Sequence, residues 1–264
     1  MRNRHILILA LVALAGCKGI RGVRVEPSRP LTLTVAEAEK SREDGLKLYG
    51  EQPRSLVRVT RAAQQLEITA RTLREDYDAQ WQAAQALAFL AEHETRPDFR
   101  KEAAKRGVVF ARHGRELKPN RVESHYWYAI NVGLLADVDR EYGLDAVSEM
   151  ESALKRAGEI DEWYDYAGPL RVLGILHLRT PAPPVSIGSP RKGQRLLQRA
   201  TDLFPDYPEN HLYLAEAFRD NGNLASAKIA LNKVLDAKPW PAGELESAEW
   251  RTSAEKMLRE LPNP

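Results

Sequence analysis

From Leu33 onward, apolar residues recur at the three-to-four-residue spacing of a buried helix face, and prolines interrupt that rhythm at intervals. No stretch sustains the apolar–polar alternation of a strand. The breaks fall at Pro53, Pro97, Pro119, the Pro205–Pro208 segment and the Pro239–Pro241 segment. They predict helices over 35–49, 54–75, 77–94, 98–117, 122–138, 143–157, 162–179, 190–204, 208–221, 224–237 and 243–260. Segments of this length cannot each bury a core alone, so consecutive helices must pair and the pairs must stack. No low-complexity linker divides the chain, which reads as one helical domain over 35–264.

The pairs carry a repeat. From Asn210 to Pro239 the order is Leu214-Ala215, Phe218, then Ala227, Leu231, Val234 and a closing Pro239. This resembles the tetratricopeptide repeat, and Pro205 to Pro239 spans its 34-residue period. Small residues at Ala215 and Ala227 let two helices approach, while Phe218 and Leu231 fill the space between them. An earlier unit has Leu173-Gly174, His177, Gly193, Leu197, Ala200 and Pro205, with seven extra residues in its inter-helix loop around Thr180–Gly188. Trp127, Ile130, Leu134, Ala146, Met150 and Ala153 fit a third unit, and Trp81 opens a fourth that ends at Pro119. Residues 35–75 read as a degenerate first pair. The expectation is an all-α solenoid of about four to five such pairs plus a C-terminal capping helix. An irregular bundle with chance periodicity is the alternative.

The N-terminus reads differently. Arg2 and Arg4 precede ten apolar or small residues, Ile6 to Ala15, and then Gly16-Cys17. The run has the charge and length of an export signal and is too short to span a bilayer. Leu14-Ala15-Gly16-Cys17 resembles the lipobox of bacterial lipoproteins, which implies a signal peptide over 1–16, lipidation of Cys17 and a tether over 17–34. By that family's sorting rule, Lys18 after the cysteine favours the outer membrane, with the body in the periplasm. Lys18, Arg21, Arg24 and Arg29 against Glu26 make the tether basic. Cys17 is the one cysteine, so a disulfide framework, a four-cysteine metal site and a redox pair are all excluded.

Four segments narrow the resemblance: Tyr126-Trp-Tyr-Ala-Ile-Asn-Val-Gly133, Gly168-Pro-Leu-Arg-Val-Leu-Gly174, Pro184-Val-Ser-Ile-Gly188 and Pro208-Glu-Asn-His-Leu-Tyr-Leu-Ala-Glu-Ala217. Together they are similar to the T component of tetratricopeptide-repeat-associated TRAP transporters. That family comprises lipidated, all-helical periplasmic proteins that partner a substrate-binding lipoprotein in solute uptake. The resemblance implies a periplasmic substrate-binding protein as partner. The chain departs from the family at its weak first pair and at repeat glycines replaced by Asn131 and Ala215. Two rivals stand beside the adaptor reading: a scaffold for envelope assembly, and a carrier that holds a small hydrophobic molecule in an aromatic cavity.

Charge and motifs argue against chemistry. The chain has 39 Lys and Arg against 37 Asp and Glu, and without Arg2 and Arg4 the two signs balance. Nucleic-acid binding is therefore not expected, because it needs clustered uncompensated cations. No HExxH, GxSxG, Walker A or GxGxxG sequence occurs. Glu92-His93-Glu94 are helical neighbours that point apart, and His177 sits at a packing position, so no metal, cofactor or catalytic residue is expected. The repeat register instead places Gln82, Phe89, Tyr128, Asn131, Arg171, Glu216 and Arg219, with Ile175 and Leu212, near a concave binding face. Tyr126-Trp127-Tyr128 and Trp163, Tyr164, Tyr166 concentrate aromatic surface there, although part of each cluster must face the core. Arg171 reads as a fork for a ligand carboxylate or as the partner of a neighbouring acid. Residues 98–121 hold eight basic against three acidic residues, and 137–165 hold ten acidic against three basic. That asymmetry fits either a docking surface, including self-association, or salt-bridged packing of adjacent helices.

Overall fold

The computed structural model describes residues 33–139, 142–238 and 244–262. The signal segment, Cys17, most of the tether and Pro239–Pro241 lie outside the described residues. Eleven helices follow in order: α1 (Val35–Gly50), α2 (Leu56–Thr72), α3 (Tyr77–His93), α4 (Pro97–Leu117), α5 (Val122–Val138), α6 (Gly143–Ile160), α7 (Tyr164–Arg179), α8 (Pro190–Leu203), α9 (Pro208–Asp220), α10 (Leu224–Asp236) and α11 (Glu244–Glu260). The described residues contain no strand. Each helix falls within three residues of its expected bounds, because the local start signals are strong. Thr34 and Glu37 form a reciprocal capping box, while Ser55, Asp76, Ser189 and Asn223 cap α2, α3, α8 and α10. Pro97, Pro190 and Pro208 occupy first-turn positions where a missing N–H costs nothing.

Every helix packs on the next, and α3, α5, α7 and α9 also touch in succession along one side, with α11 against α9. The result is a solenoid of five helix pairs closed by α11, which matches the expected architecture. Within pairs the repeat positions pack as their sizes predict: Ala215, Ala227, Leu231, Leu197 and Ala200 are wholly buried. In the fourth pair the backbones come closer still. A Cβ on Gly174 would stand 2.8 Å from Leu197 Cγ, and one on Gly193 would stand 2.8 Å from the Gly174 carbonyl.

One expectation needs correction. Residues 162–179 do not form one regular helix: Asp165, Tyr166 and Ala167 have φ of 49°, 55° and 63°. Pro169 explains where the right-handed turn begins, since it lacks an N–H and restricts the residue before it. The left-handed conformation costs about 1–2 kcal/mol per non-glycine residue. It is held by Arg171 Nη1, which donates to the Asp165 and Tyr166 carbonyls, and by Asn210 Nδ2, which also donates to the Tyr166 carbonyl. Of the two readings of the charge asymmetry, the contacts favour salt-bridged packing. Arg100 pairs with Asp137 at 2.7 Å and Lys101 with Asp139 at 2.9 Å, so the basic and acidic stretches meet between α4 and α5. To that extent they lock neighbouring helices together rather than offering a docking surface.

Candidate functional site

The inner helices line a partly open cavity of ≈ 190 Å³ on the concave side. Its walls are aromatic: Tyr49, Phe89, Tyr126, Trp127, Tyr166, Tyr207, Tyr213 and Trp250 all line it. Tyr166 stacks on Tyr207 with centroids 4.5 Å apart, and Trp250 meets Tyr207 edge-on at 5.4 Å. Phe89 stacks on His93 at 4.0 Å and takes the edge of Tyr49 at 6.3 Å. The left-handed turn at 165–167 serves this wall, because it puts Asp165 and Tyr166 into the lining. Gly168 follows where a Cβ would lie 2.6 Å from the Tyr126 hydroxyl. That hydroxyl donates to Asp165 at 2.5 Å, so the wall and the turn are fixed to each other.

The cavity closes through ion pairs between distant parts of the chain. Arg54, before α2, reaches Glu246 on α11 at 2.9 Å, with its guanidinium 4.7 Å from the Tyr49 ring centre. His93 at the end of α3 donates from Nδ1 to the Phe89 carbonyl, and its Nε2 stands 3.7 Å from Glu249 on α11. On the far wall Arg171 is 4% exposed and pairs with Glu209 at 3.0 Å and Asp165 at 3.2 Å. Its Nη1 also reaches Asn210 Oδ1 at 3.2 Å, so all three of its nitrogens are engaged.

These environments shift the titrations. Burial pushes the Glu92 carboxyl up to about 7, against the pull of His93. Burial opposes charge on His93, but Glu249 and Glu92 outweigh it and raise the imidazole to about 9. Burial raises Glu209 despite Arg171. For Arg171 itself burial opposes the charge, yet Glu209, the surrounding tyrosines and Asp165 hold the guanidinium firmly protonated. No group of His, Cys, Asp and Glu among the described residues is arranged to hold a metal ion.

Of the residues that the repeat register put on the concave face, the cavity gathers Phe89 and Arg171. Arg171 is paired with its neighbouring acids, the second of its two readings. Gln82 accepts from Arg42 on α1 at 2.9 Å. Tyr128 turns toward α4 and α6, with Arg115 4.3 Å from its ring centre and its hydroxyl on Glu149. Asn131 is wholly buried and donates to the Ala84 and Trp127 carbonyls at 3.0 and 2.8 Å. Glu216 pairs with Arg179 at 2.8 Å, and Arg219 with Asp220 at 2.8 Å. On α5 the lining falls to Tyr126, Trp127 and Ile130, one residue before Tyr128 and Asn131. One residue turns a helix by about 100°, enough to move a side chain off the wall.

Sequence reasoning does not single out Tyr49, Arg54, Glu92, His93, Glu246, Glu249 and Trp250 as lining residues. Glu92 and His93 carry a local signal, two ionisable groups closing an otherwise apolar helix. Nothing local links them to α11.

The fold and this recessed inner face define a tetratricopeptide-like helical repeat protein. Residues 49–166, under half of the chain, match the family described as Regulator of microtubule dynamics protein 1-3. No curated protein matches the sequence. Among solved structures, the chain is similar to a thermophilic TPR protein of Thermus thermophilus. That match has 19% identity and a TM-score of 0.62, covering 84% of this chain and 99% of the other. It is also similar to pilF of Pseudomonas aeruginosa, with 15% identity and a TM-score of 0.53 over 86% of this chain and 95% of that one. These likenesses bear on the fold.

Proposed function

We propose that the protein is a membrane-tethered adaptor of the cell envelope, a binding protein rather than a catalyst. In this reading Cys17 carries the lipid, the outer membrane is the anchor, and the partner is the periplasmic substrate-binding protein of a TRAP-type uptake system. One observation carries it. Of the four segments that resemble the transporter-associated family, 126–133, 168–174 and 208–217 fall on α5, α7 and α9, which touch in succession along the inner face, and 184–188 lies in the loop between α7 and α8. Three of the four segments thus share one surface, the kind of face an adaptor presents to a partner. The test is a pull-down of the mature chain from envelope extract, together with lipid labelling of the wild type and Cys17→Ser. The reading expects a solute-binding protein among the recovered partners and loss of the label in the variant. A labelled Cys17→Ser protein, or recovery of no envelope partner at native abundance, contradicts it.

A second reading rests on the cavity itself. A recessed aromatic pocket with a few fixed charges is the usual form of a small-ligand site, which supports solute carriage within the same tethered protein.

A further inference from the structure

We infer that the concave cavity binds a compact organic cation, an alkylammonium or guanidinium group held between α3 and α11. This rests on the second reading above, that the cavity is a ligand site. The argument begins with charge. Five carboxyl groups line the cavity, on Glu92, Asp165, Glu209, Glu246 and Glu249, against Arg54, Arg171 and His93. The cationic groups are already committed. Arg171 serves Glu209, Asp165 and Asn210; Arg54 serves Glu246 and the Tyr49 carbonyl; His93 faces Glu249. An anionic ligand would therefore meet few free donors.

Unused capacity lies with the acceptors. Glu246 Oε2 is buried with no hydrogen-bond partner. Glu92 receives no hydrogen bond from a donor among the described residues, and Glu249 has only the 3.7 Å contact to His93. An unpaired buried carboxylate is costly until a donor or cation reaches it. A ligand N–H directed at Glu92 and Glu246 would supply that partner from between the two helices.

The aromatic lining selects the kind of cation. Electron-rich faces of tyrosine, phenylalanine and tryptophan attract weakly hydrated organic cations, and the attraction strengthens where water is excluded. Phe89 shares α3 with Glu92, Trp250 shares α11 with Glu246 and Glu249, and Tyr49 on α1 meets Phe89 edge-on, so one cation meets both features. The described residues offer no metal-ligating group of three, which favours an organic cation over a metal ion.

The test is calorimetry and thermal shift on the mature chain carrying Cys17→Ser. The probes are putrescine, agmatine and choline, with succinate and glycerol as the anionic and neutral controls. A lysine-containing tetrapeptide, set against its acetylated form, distinguishes a partner's side chain from a free amine. At least one cationic probe is expected to bind and raise the melting temperature, and Glu92→Gln to weaken it about tenfold or more. Glu92→Gln leaves the Arg54–Glu246 bridge intact, so its effect is separable from loss of folding. Preferential binding of succinate or glycerol, or cation binding that Glu92→Gln leaves unchanged, overturns the inference while the cavity reading stands. Absence of binding by every probe, with no ligand retained in native mass spectrometry, overturns both.

Discussion

The fourth and fifth helix pairs sit side by side and are built on opposite terms. In α9–α10 a short turn leads into the Asn223 cap, and Ala215, Ala227 and Leu231 pack as the repeat pattern prescribes. In α7–α8 the first helix opens with three left-handed residues, and a long loop makes the connection. That loop is folded back by Gly188, which donates to the Pro181 carbonyl, and by His177, which donates to the Ile187 carbonyl. The difference teaches where part of the cavity wall comes from. Both pairs line the cavity, α9 through Glu209 and Tyr213, but only the irregular turn brings Asp165 and Tyr166 into the wall beside Arg171. Strain persists at such a turn because surrounding contacts over-determine it.

Breaking those contacts should give the largest effect. Arg171→Met leaves Asp165 and Glu209 without their shared cation, and denaturant unfolding is expected to show a loss of about 3–5 kcal/mol. Leu231→Ala tests the regular pair and should cost roughly 2–4 kcal/mol, by lost burial and a residual cavity. If Arg171→Met proves the milder of the two, the turn is not held by that network.

Titration sharpens the comparison further. Burial lowers His125, His177 and His211, so just above pH 6.5 the unfolded chain still binds more of their protons than the folded one and their contribution rises slightly, against the larger trend. His93, raised to about 9 in the folded chain from 6.5, contributes stability that is full below 6.5 and lost as pH climbs through 9. Glu92, raised to about 7 from 4.5, binds its proton more tightly when folded, so it too loses its contribution as pH rises, and the loss is completed once pH has passed 7. Stability should fall across the interval by on the order of 2 kcal/mol. His93→Gln should flatten most of that slope.

The smallest contrast is the most specific. Ala167 and Ala227 are both wholly buried, yet only Ala167 has positive φ. Ala227→Gly should cost about 1–2 kcal/mol through backbone entropy and a lost methyl. Ala167→Gly should be nearly neutral, because relief of about 1–2 kcal/mol of left-handed strain offsets the same losses. Equal costs at the two positions would mean that the turn at 165–167 is not left-handed.

The same contrast explains what could be read in advance. Helix ends were legible because caps and prolines act within about four residues, as at Thr34, Ser55 and Pro97. The fifth pair was legible because its packing residues recur at the repeat spacing. The start of α7 was not: Trp163 to Ala167 has helical composition, and its reversal depends on Arg171 and on Asn210 from another helix. The register along α5 was lost by one residue, which exchanged Trp127 and Ile130 for Tyr128 and Asn131. Glu246 and Glu249 were invisible as site residues because only closure of the whole solenoid brings them to Arg54 and His93.

That closure is the central claim, and the distance between the two ends measures it most directly. Spin labels at exposed positions 57 and 255, in the mature chain carrying Cys17→Ser, report the separation of α2 and α11 by double electron–electron resonance. A single narrow distribution is predicted, which broadens and lengthens when Arg54→Gln and Glu246→Gln are combined. A broad distribution in the unaltered protein, or a narrow one that the double substitution leaves in place, would contradict the account.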